Sequence, residues 1–441
     1  MAVNYSTPPS IQVFDKTLTV MSEISPEVYD YFRFTRNLRT AGDFELQINR
    51  NRAKSAYLLD PSAFLLVYFD GVVSRAGIIE QIECTLDDTG ASGEVLTITG
   101  RSGGMFSVRL AVAGTQSETG YDTQTGAAET LIRHYVDVNA VSAQDASGNS
   151  APQRNIPNLV LEGAPATARG SACTYSARYE PLSEILEALS YAGGIGWDVE
   201  FERSTKRFLF RVIGGTNHSS TSSRPVVFRP ELNNVESLEY LYSVLDSKSL
   251  AYVGGSGENA SRIVESVYLT SAEPSGFSRR ETFVDASNTS DLAELTTAGQ
   301  SELLQTAGSI SLDAELNSAF TSVQYQVDYD LGDTVTVEYT GVATVDAVII
   351  SIVDETVGGG RGSVRRLTAK LGTEPADIRR IVRRTTTRGT LLVIVAALLW
   401  ATSGACGQYL LNVRGFPPDW VASTRILASG FVLTVIGCIK N

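Results

Sequence analysis

The chain has 441 residues, 43% hydrophobic and 19% charged, which predicts two to four domains and excludes both a disordered chain and a charged nucleic-acid-binding arm. Its two histidines and four cysteines cannot furnish a His- or Cys-rich metal site or a disulfide framework. The net charge of -13 is uneven: residues 361–441 carry 12 Lys/Arg against 3 Asp/Glu, so the body before them is acidic and disfavours DNA phosphates.

Residues 1–10 are polar, carry Pro8 and Pro9, and lack the basic and apolar regions of a secretory signal. The next hundred residues read as strands. Phe44, Leu46 and Ile48 alternate with Glu45, Gln47 and Asn49, giving one buried and one wet face. Residues 64–69 are wholly apolar, between Pro61 and the turn pair Asp70-Gly71, and read as a buried strand. Residues 72–86 and 95–99 extend the pattern towards a barrel or sandwich.

Helical spacing follows. Ala128, Leu131, Ile132, Tyr135 and Val138 form one apolar stripe. Leu182, Ile185, Leu186 and Leu189 form a second, with Pro181 in the first turn and Gly193-Gly194 as a stop. A third helix is predicted over 291–307, with Leu292, Leu295 and Leu303 on one face. Strands are predicted at 197–201, 208–213, 251–254 and 263–269, and again through 323–371. The segments 114–126, 144–153 and 214–223 read as exposed loops.

The C-terminus changes character. Residues 390–411, with Leu391 near the start and Trp400 in the middle, run 22 residues without a charge. A membrane-spanning helix needs about 20 such residues. Residues 426–439 form a second apolar run, after Pro417, Pro418 and an interfacial Trp420, so a helical hairpin is predicted. Arg383, Arg384 and Arg388, with Arg379 and Arg380, mark the cytoplasmic flank. A buried helix of a large core is the alternative.

Motifs for catalysis fail one by one. Gly254-Gly255-Ser256-Gly257-Glu258 misses the last glycine of a hydrolase elbow and reads as a strand followed by a turn. Residues 358–362 lack the lysine of a phosphate loop. Asp328-Tyr329-Asp330-Leu331-Gly332-Asp333 has its glycine one place early for a calcium loop, and Tyr339 stands where the bidentate Glu belongs; a turn between strands is preferred. His134 reads as a partly exposed packing residue, and His218 lies in a polar loop with no visible partner. A pair of carboxylates for glycan cleavage cannot be picked from so acidic a surface. No catalytic, cofactor or metal residue is assigned.

An ordered set of strings carries a resemblance: Phe34-Thr35-Arg36-Asn37-Leu38, Ala41-Gly42-Asp43-Phe44-Glu45-Leu46, and Leu96-Thr97-Ile98-Thr99-Gly100-Arg101. Later come Arg154-Asn155-Ile156-Pro157, Val227-Phe228, Asn233-Asn234, Ala251-Tyr252-Val253, Arg280-Glu281-Thr282-Phe283-Val284-Asp285, and the run from Asp328 through Gly332 and Asp333 to Val335. Together, over about 11–375, they resemble siphophage and prophage tail proteins related to baseplate hubs. The resemblance implies trimeric rings of β-barrel-like domains that cap the tail tube and join it to the tip or fibre. It gives Arg36, Gly42, Asp43, Phe44, Gly100, Arg101, Asp330, Gly332 and Asp333 structural roles, and implies no cofactor, no specific nucleic-acid binding, and a place in the virion after assembly in the bacterial cytoplasm. Gly389, residues 396–400, Ser403-Gly404, Pro418-Asp419-Trp420 and Arg425 resemble the first helices of an EamA-type drug/metabolite transporter.

The expected fold is therefore β-rich α+β, with hub-like β-barrel domains, a mixed α/β insertion and a C-terminal transmembrane hairpin. The expected division is a barrel-like domain at 1–101, an insertion at 102–322, a β block at 323–375 completing or pairing with the first barrel, a basic linker at 376–388, and two spans at 389–441. The tail departs from the hub pattern. It is either a gene fusion, frameshift or join with a transporter gene, which is preferred because two helices do not make a bundle, or a tip that inserts into a host membrane. The competing functions are a membrane-anchored binding or transporter-fragment protein and a tail-associated cell-wall hydrolase.

Overall fold

Alternating strands in the first hundred residues build a curled sheet. A computed structural model describes residues 7–69, 73–86, 94–116, 120–245, 247–306, 309–316, 323–341, 343–358 and 363–372, all within one compact unit, Met1–Pro375. The proposed linker and hairpin, with Arg383, Arg384, Arg388, Leu391, Trp400 and Trp420, lie outside the described residues, as does the Asp70-Gly71 turn. Among the described residues no helix is long and apolar enough to cross a membrane.

The first strands are β1 (Ile11–Asp15), β2 (Val20–Ile24), β3 (Tyr31–Asn37) and β4 (Gly42–Asn49), followed by a single-turn helix α1 (Ala56–Leu59). Then come β5 (Ala63–Phe69), β6 (Ser74–Leu86) and β7 (Glu94–Ser102). The middle holds β8 (Asp122–Ala127), α2 (Ala128–Val136), β9 (Leu159–Leu161), β10 (Ala172–Ala177), α3 (Leu182–Gly193), β11 (Gly196–Glu202) and β12 (Arg207–Ile213). Two short strands, β13 (Asn217–His218) and β14 (Val227–Phe228), precede β15 (Val235–Ser243). A three-stranded sheet of β16 (Leu250–Gly254), β17 (Val264–Val267) and β18 (Glu281–Asp285) is followed by α4 (Leu292–Gln305). The chain closes with β19 (Ser309–Leu316), β20 (Thr334–Tyr339), β21 (Ala343–Val357) and β22 (Val364–Gly372).

The ladder order is β2-β1-β5-β6-β7-β4-β3-β21-β22-β19-β15, antiparallel throughout. This is a curled half-barrel and not the closed barrel expected: among the described residues no ladder returns to β2. The long β21 belongs to two layers. Its first residues pair with β20, and Ser351–Val357 pair with Asn37–Tyr31 of β3. The start and the end of the described chain thus share one ladder.

Side-chain alternation along β3 and β4 sends Phe32, Phe34, Phe44, Leu46 and Ile48 into the hollow of the curl, against Ile11, Tyr68 and Ile98. A second core lies between the other side of that sheet and α2 and α3, where Leu131, Ile132, Tyr135, Ile185, Leu186 and Leu189 pack on Trp197, Phe201 and Phe210. The predicted stripes of both helices are buried as expected. The third is half right: Leu295 and Leu303 are buried, but Leu292 is 56% exposed, because Asp291 caps α4 by accepting from the Ala293 N–H (2.7 Å) and turns the first residue outward. Two predicted loops are structured in part, since 114–126 holds all of β8 but its last residue and 214–223 contains β13. Residues 323–333 form turns, and strand structure resumes only at Thr334.

Phe44 lies over glycines on β6 and β7. A Cβ at Gly77 would stand 2.3 Å from its ring, and one at Gly100 would stand 2.7 Å from the ring and 1.9 Å from the Ile78 carbonyl. Neither neighbour can retreat, as one is core and the other backbone. Gly100→Ala is therefore expected to destabilise the protein by about 1–3 kcal/mol, the usual penalty of overpacking. Urea denaturation followed by circular dichroism measures this, and an unchanged midpoint would disprove the packing argument.

Candidate functional site

The polar centre of the fold forms where three distant segments meet. Arg36, near the end of β3, is buried; so are Asp198 on β11 and Arg75 on β6. Arg36 Nη2 donates to Asp198 Oδ2 at 2.6 Å, and Nε donates to the same oxygen at 3.1 Å. Arg36 Nη1 donates to Asp330 Oδ1 at 2.7 Å and also to the Tyr325 hydroxyl. Arg75 Nη1 donates to Asp198 Oδ2 at 3.0 Å. Asp198 Oδ1 accepts the Val199 N–H at 2.8 Å, so both carboxylate oxygens are satisfied.

β11 explains the placement. Trp197, Val199 and Phe201 point into the helix-covered core, so Asp198 and Glu200 point the other way. Glu200 accepts from Arg211 (2.7 Å) and lies 3.7 Å from Arg75. A cavity of about 320 Å³ opens beside this row, lined by Arg36, Arg169, Asp198, Glu200, Arg211 and Asp330 among others. Arg169 in its wall is paired with the buried Glu129 at 2.8 Å.

The Asp328–Asp333 string is a turn that holds this centre together. The Gly332 N–H donates to the Ile349 carbonyl (2.8 Å) on β21. Asp333 accepts the Asp330 N–H (2.8 Å) and the Thr216 N–H (2.6 Å). Gly332 has φ of +91°, and a Cβ there would stand 2.6 Å from Ile213 Cγ2, so both conformation and space require glycine. Its carboxylates are committed to protein donors: Asp328 accepts the Gln324 N–H (2.7 Å), Asp330 takes Arg36, and Asp333 takes two amides. Among the described residues no cluster of His, Cys, Asp and Glu could hold a metal ion.

Electrostatics follow from burial. Burial alone opposes the charged form of Arg36, but Asp330, Tyr325 and Asp198 outweigh it and raise its pKa further. Burial would also raise Asp198, yet Arg36 and Arg75 hold it below the ordinary carboxylate value. Asp333 is shifted up, because burial outweighs its two amide donors.

The remaining family positions lie apart from this centre. Gly42 allows the strand crossing from β3, since a Cβ would meet the Thr35 carbonyl at 2.0 Å. Asp43 pairs with Arg33 (2.8 Å), and Arg101 makes a bidentate pair with Glu80 (2.8 and 2.8 Å). His134 Nε2 meets Asp122 Oδ2 at 2.8 Å. His218 is not partnerless as expected: its Nδ1 donates to the Arg224 carbonyl at 2.9 Å, and Nε2 lies 3.7 Å from Asp333. The sequence reading missed Asp198, Arg75 and Tyr325, and also a buried bidentate pair, Arg365 with Asp354, across β22 and β21 (2.8 and 2.5 Å). Asp198 sits between Trp197 and Val199, where alternation marks a face but cannot tell water from a buried arginine.

The family model described as Siphovirus ReqiPepy6 Gp37-like protein matches residues 10–372. The chain belongs to this family. The match begins one residue before β1 and ends with β22. No curated protein sequence matches the chain. Among solved structures, the chain is similar to a tail protein from Neisseria meningitidis MC58 at 16% identity and a TM-score of 0.48, covering 82% of this chain and 96% of that one. It is also similar to the 43 kDa tail protein of prophage MuSo2 from Shewanella oneidensis (10% identity, TM-score 0.48, 82% and 98% covered). A third is the prophage tail protein gp18 from Listeria monocytogenes EGD-e (11%, 0.44, 86% and 98%).

Removing Asp198 strands two buried arginines, so Asp198→Ala is expected to cost about 3–5 kcal/mol. The lowered pKa of Asp198 means its contribution is present above the unfolded value of 3.8 and is lost as pH falls through the folded value. Asp333 acts in the opposite sense, since protonation relieves its burial. Thermal melts of wild type and Asp198→Asn should differ by a constant amount above the unfolded value of 3.8 and draw together only below it, as pH falls through the folded value. A gap that persists in acid would refute the ion-pair account.

Proposed function

We infer that the chain is a structural component of a phage tail and acts by assembly, without catalysis. The observation that carries this reading is the family match, which spans every described strand of the protein. The polar centre supports it: the charged groups around Arg36 bind one another and close a junction between strands, which is the work of a scaffold. In the fuller form of the reading the protein is a distal hub, a trimeric ring that links the tail tube to a tip or fibre and contacts other tail proteins. Its place is the virion. The acidic body suits a passage for DNA, because a negative lumen repels the genome it conducts; a basic lumen would contradict this.

Light scattering on residues 1–388 and on the full chain, with negative-stain imaging, tests the ring. A stable trimer or annular particles are expected. A well-folded monomer at high concentration would count against the ring.

A further inference from the structure

Arg39 breaks the pattern of the arginines around the polar centre. Arg36, Arg169 and Arg211 are each paired with a carboxylate, from Asp198, Glu129 and Glu200. Arg39 stands in the turn between β3 and β4. Among the described residues it makes no ion pair, and its Nε is buried without a hydrogen-bond acceptor. A buried donor left in that state destabilises a fold and calls for an explanation. The side chain is nonetheless held in place. Its guanidinium carbon lies 4.8 Å from the centroid of the Tyr191 ring on α3, a cation–π contact that keeps the group where it is. The backbone beneath is pinned as well. The Leu38 N–H donates to the Ile350 carbonyl (2.9 Å), the Trp197 N–H to the Leu38 carbonyl (2.9 Å), and Trp197 Nε1 to the Arg39 carbonyl (2.9 Å).

Arg39 lines a cavity of about 260 Å³, with Thr216, Asn217 and Thr334 as its other polar side chains. Among the described residues Arg39 is the one charged group of this lining, although the chain carries 49 Asp and Glu against 36 Lys and Arg. Asp333 follows Gly332 of the wall, but its carboxylate accepts the Asp330 and Thr216 amides (2.8 and 2.6 Å) and lines the neighbouring cavities. The C-terminal end of α3 would repel an anion; its Ser190 and Tyr191 carbonyls are already met by the Ile195 and Gly194 N–H groups (3.1 and 3.3 Å). The acceptor of Asn217 is taken too, since Oδ1 accepts the Ser219 N–H (2.8 Å), so what its side chain has left to offer is the Nδ2 donor. The lining thus combines a fixed cation with amide and hydroxyl donors and no competing carboxylate. A planar guanidinium matches the paired oxygens of an oxyanion. The volume is several times the roughly 30 Å³ share of one water in the liquid, which leaves room for a group the size of phosphate.

We propose that this cavity binds one oxyanion, a phosphate or a carboxylate, with Arg39 as the anchor. The site stands whether or not the protein forms a ring. The probes are inorganic phosphate and acetate, each titrated into the full-length protein at ionic strength held constant with chloride. The readouts are the thermal midpoint and, for phosphate, the phosphorus NMR line width. Arg39→Gln removes the cation. Asn217→Asp keeps the acceptor for the Ser219 N–H and sets a carboxylate in the wall, so it tests the site even if Arg39→Gln fails to fold. Arg203→Gln, at an exposed arginine outside the cavity, is the control. Wild type and Arg203→Gln should show saturable binding. Arg39→Gln and Asn217→Asp should weaken it by about tenfold or more, as loss of a charge-assisted hydrogen bond does. Tighter binding of phosphate supports the site and makes its occupant a free or esterified phosphate; tighter binding of acetate supports it and makes the occupant a carboxylate from a neighbouring protein. An equal response in wild type and both cavity variants is a general salt effect and overturns the proposal. A wild type that shows no saturable response to either anion overturns it as well.

Discussion

One carboxylate organises the centre of this protein. Asp198 is buried between two arginines, and neither arginine is near it in sequence: Arg75 is 123 residues away and Arg36 is 162. Arg36 then reaches Asp330, 294 residues along the chain. Burying such charges is expensive unless each finds its partner in good geometry. The requirement therefore acts as a register lock. A slip of one residue in β3, β6 or β11 would turn a charged group into the aromatic cores on the opposite face. Specificity of this kind differs from added stability, since an apolar triad of similar volume can be as stable.

The turn around Gly332 extends the lock outward. It joins the end of β12, through Thr216, to the start of β20 and the middle of β21, and β21 in turn pairs with β3. The helical layer, the curled sheet and the final strands are thus anchored to each other around one polar site. The geometry of this site orients strands.

Much of this was legible in the residues. Alternation at 44–49 and the stripes at 128–135 and 182–189 named a face for each element, because burial imposes a period that sequence preserves. Leu292 was misread because a cap, and not the stripe, decides what the first helical residue does. His218 was misread and Asp198 was missed, for different reasons. Asp198 lies between two core residues, and its arginine partners come from segments more than a hundred residues away; His218 lies in a loop whose own Arg224 carbonyl supplies its hydrogen bond. The glycines were the better guide: Gly42, Gly100 and Gly332 each sit where a side chain would strike backbone or core. Curl and strand order were not legible, since they depend on which edges meet and not on any local pattern.

The pairing of β3 with β21 has a consequence for how the protein is made. Residues 31–37 emerge from the ribosome early, while their partners at 351–357 are synthesised more than three hundred residues later. At bacterial rates of roughly 5–20 residues per second, β3 waits for tens of seconds with one edge unpaired. An open, half-apolar edge is a template for pairing with any neighbouring chain. Nascent copies on one message are the neighbours at highest local concentration. The same arrangement gives a checkpoint: the ladder between the two ends cannot close on a chain cut short before β21. A chain that stops before β21 therefore keeps the β3 edge open.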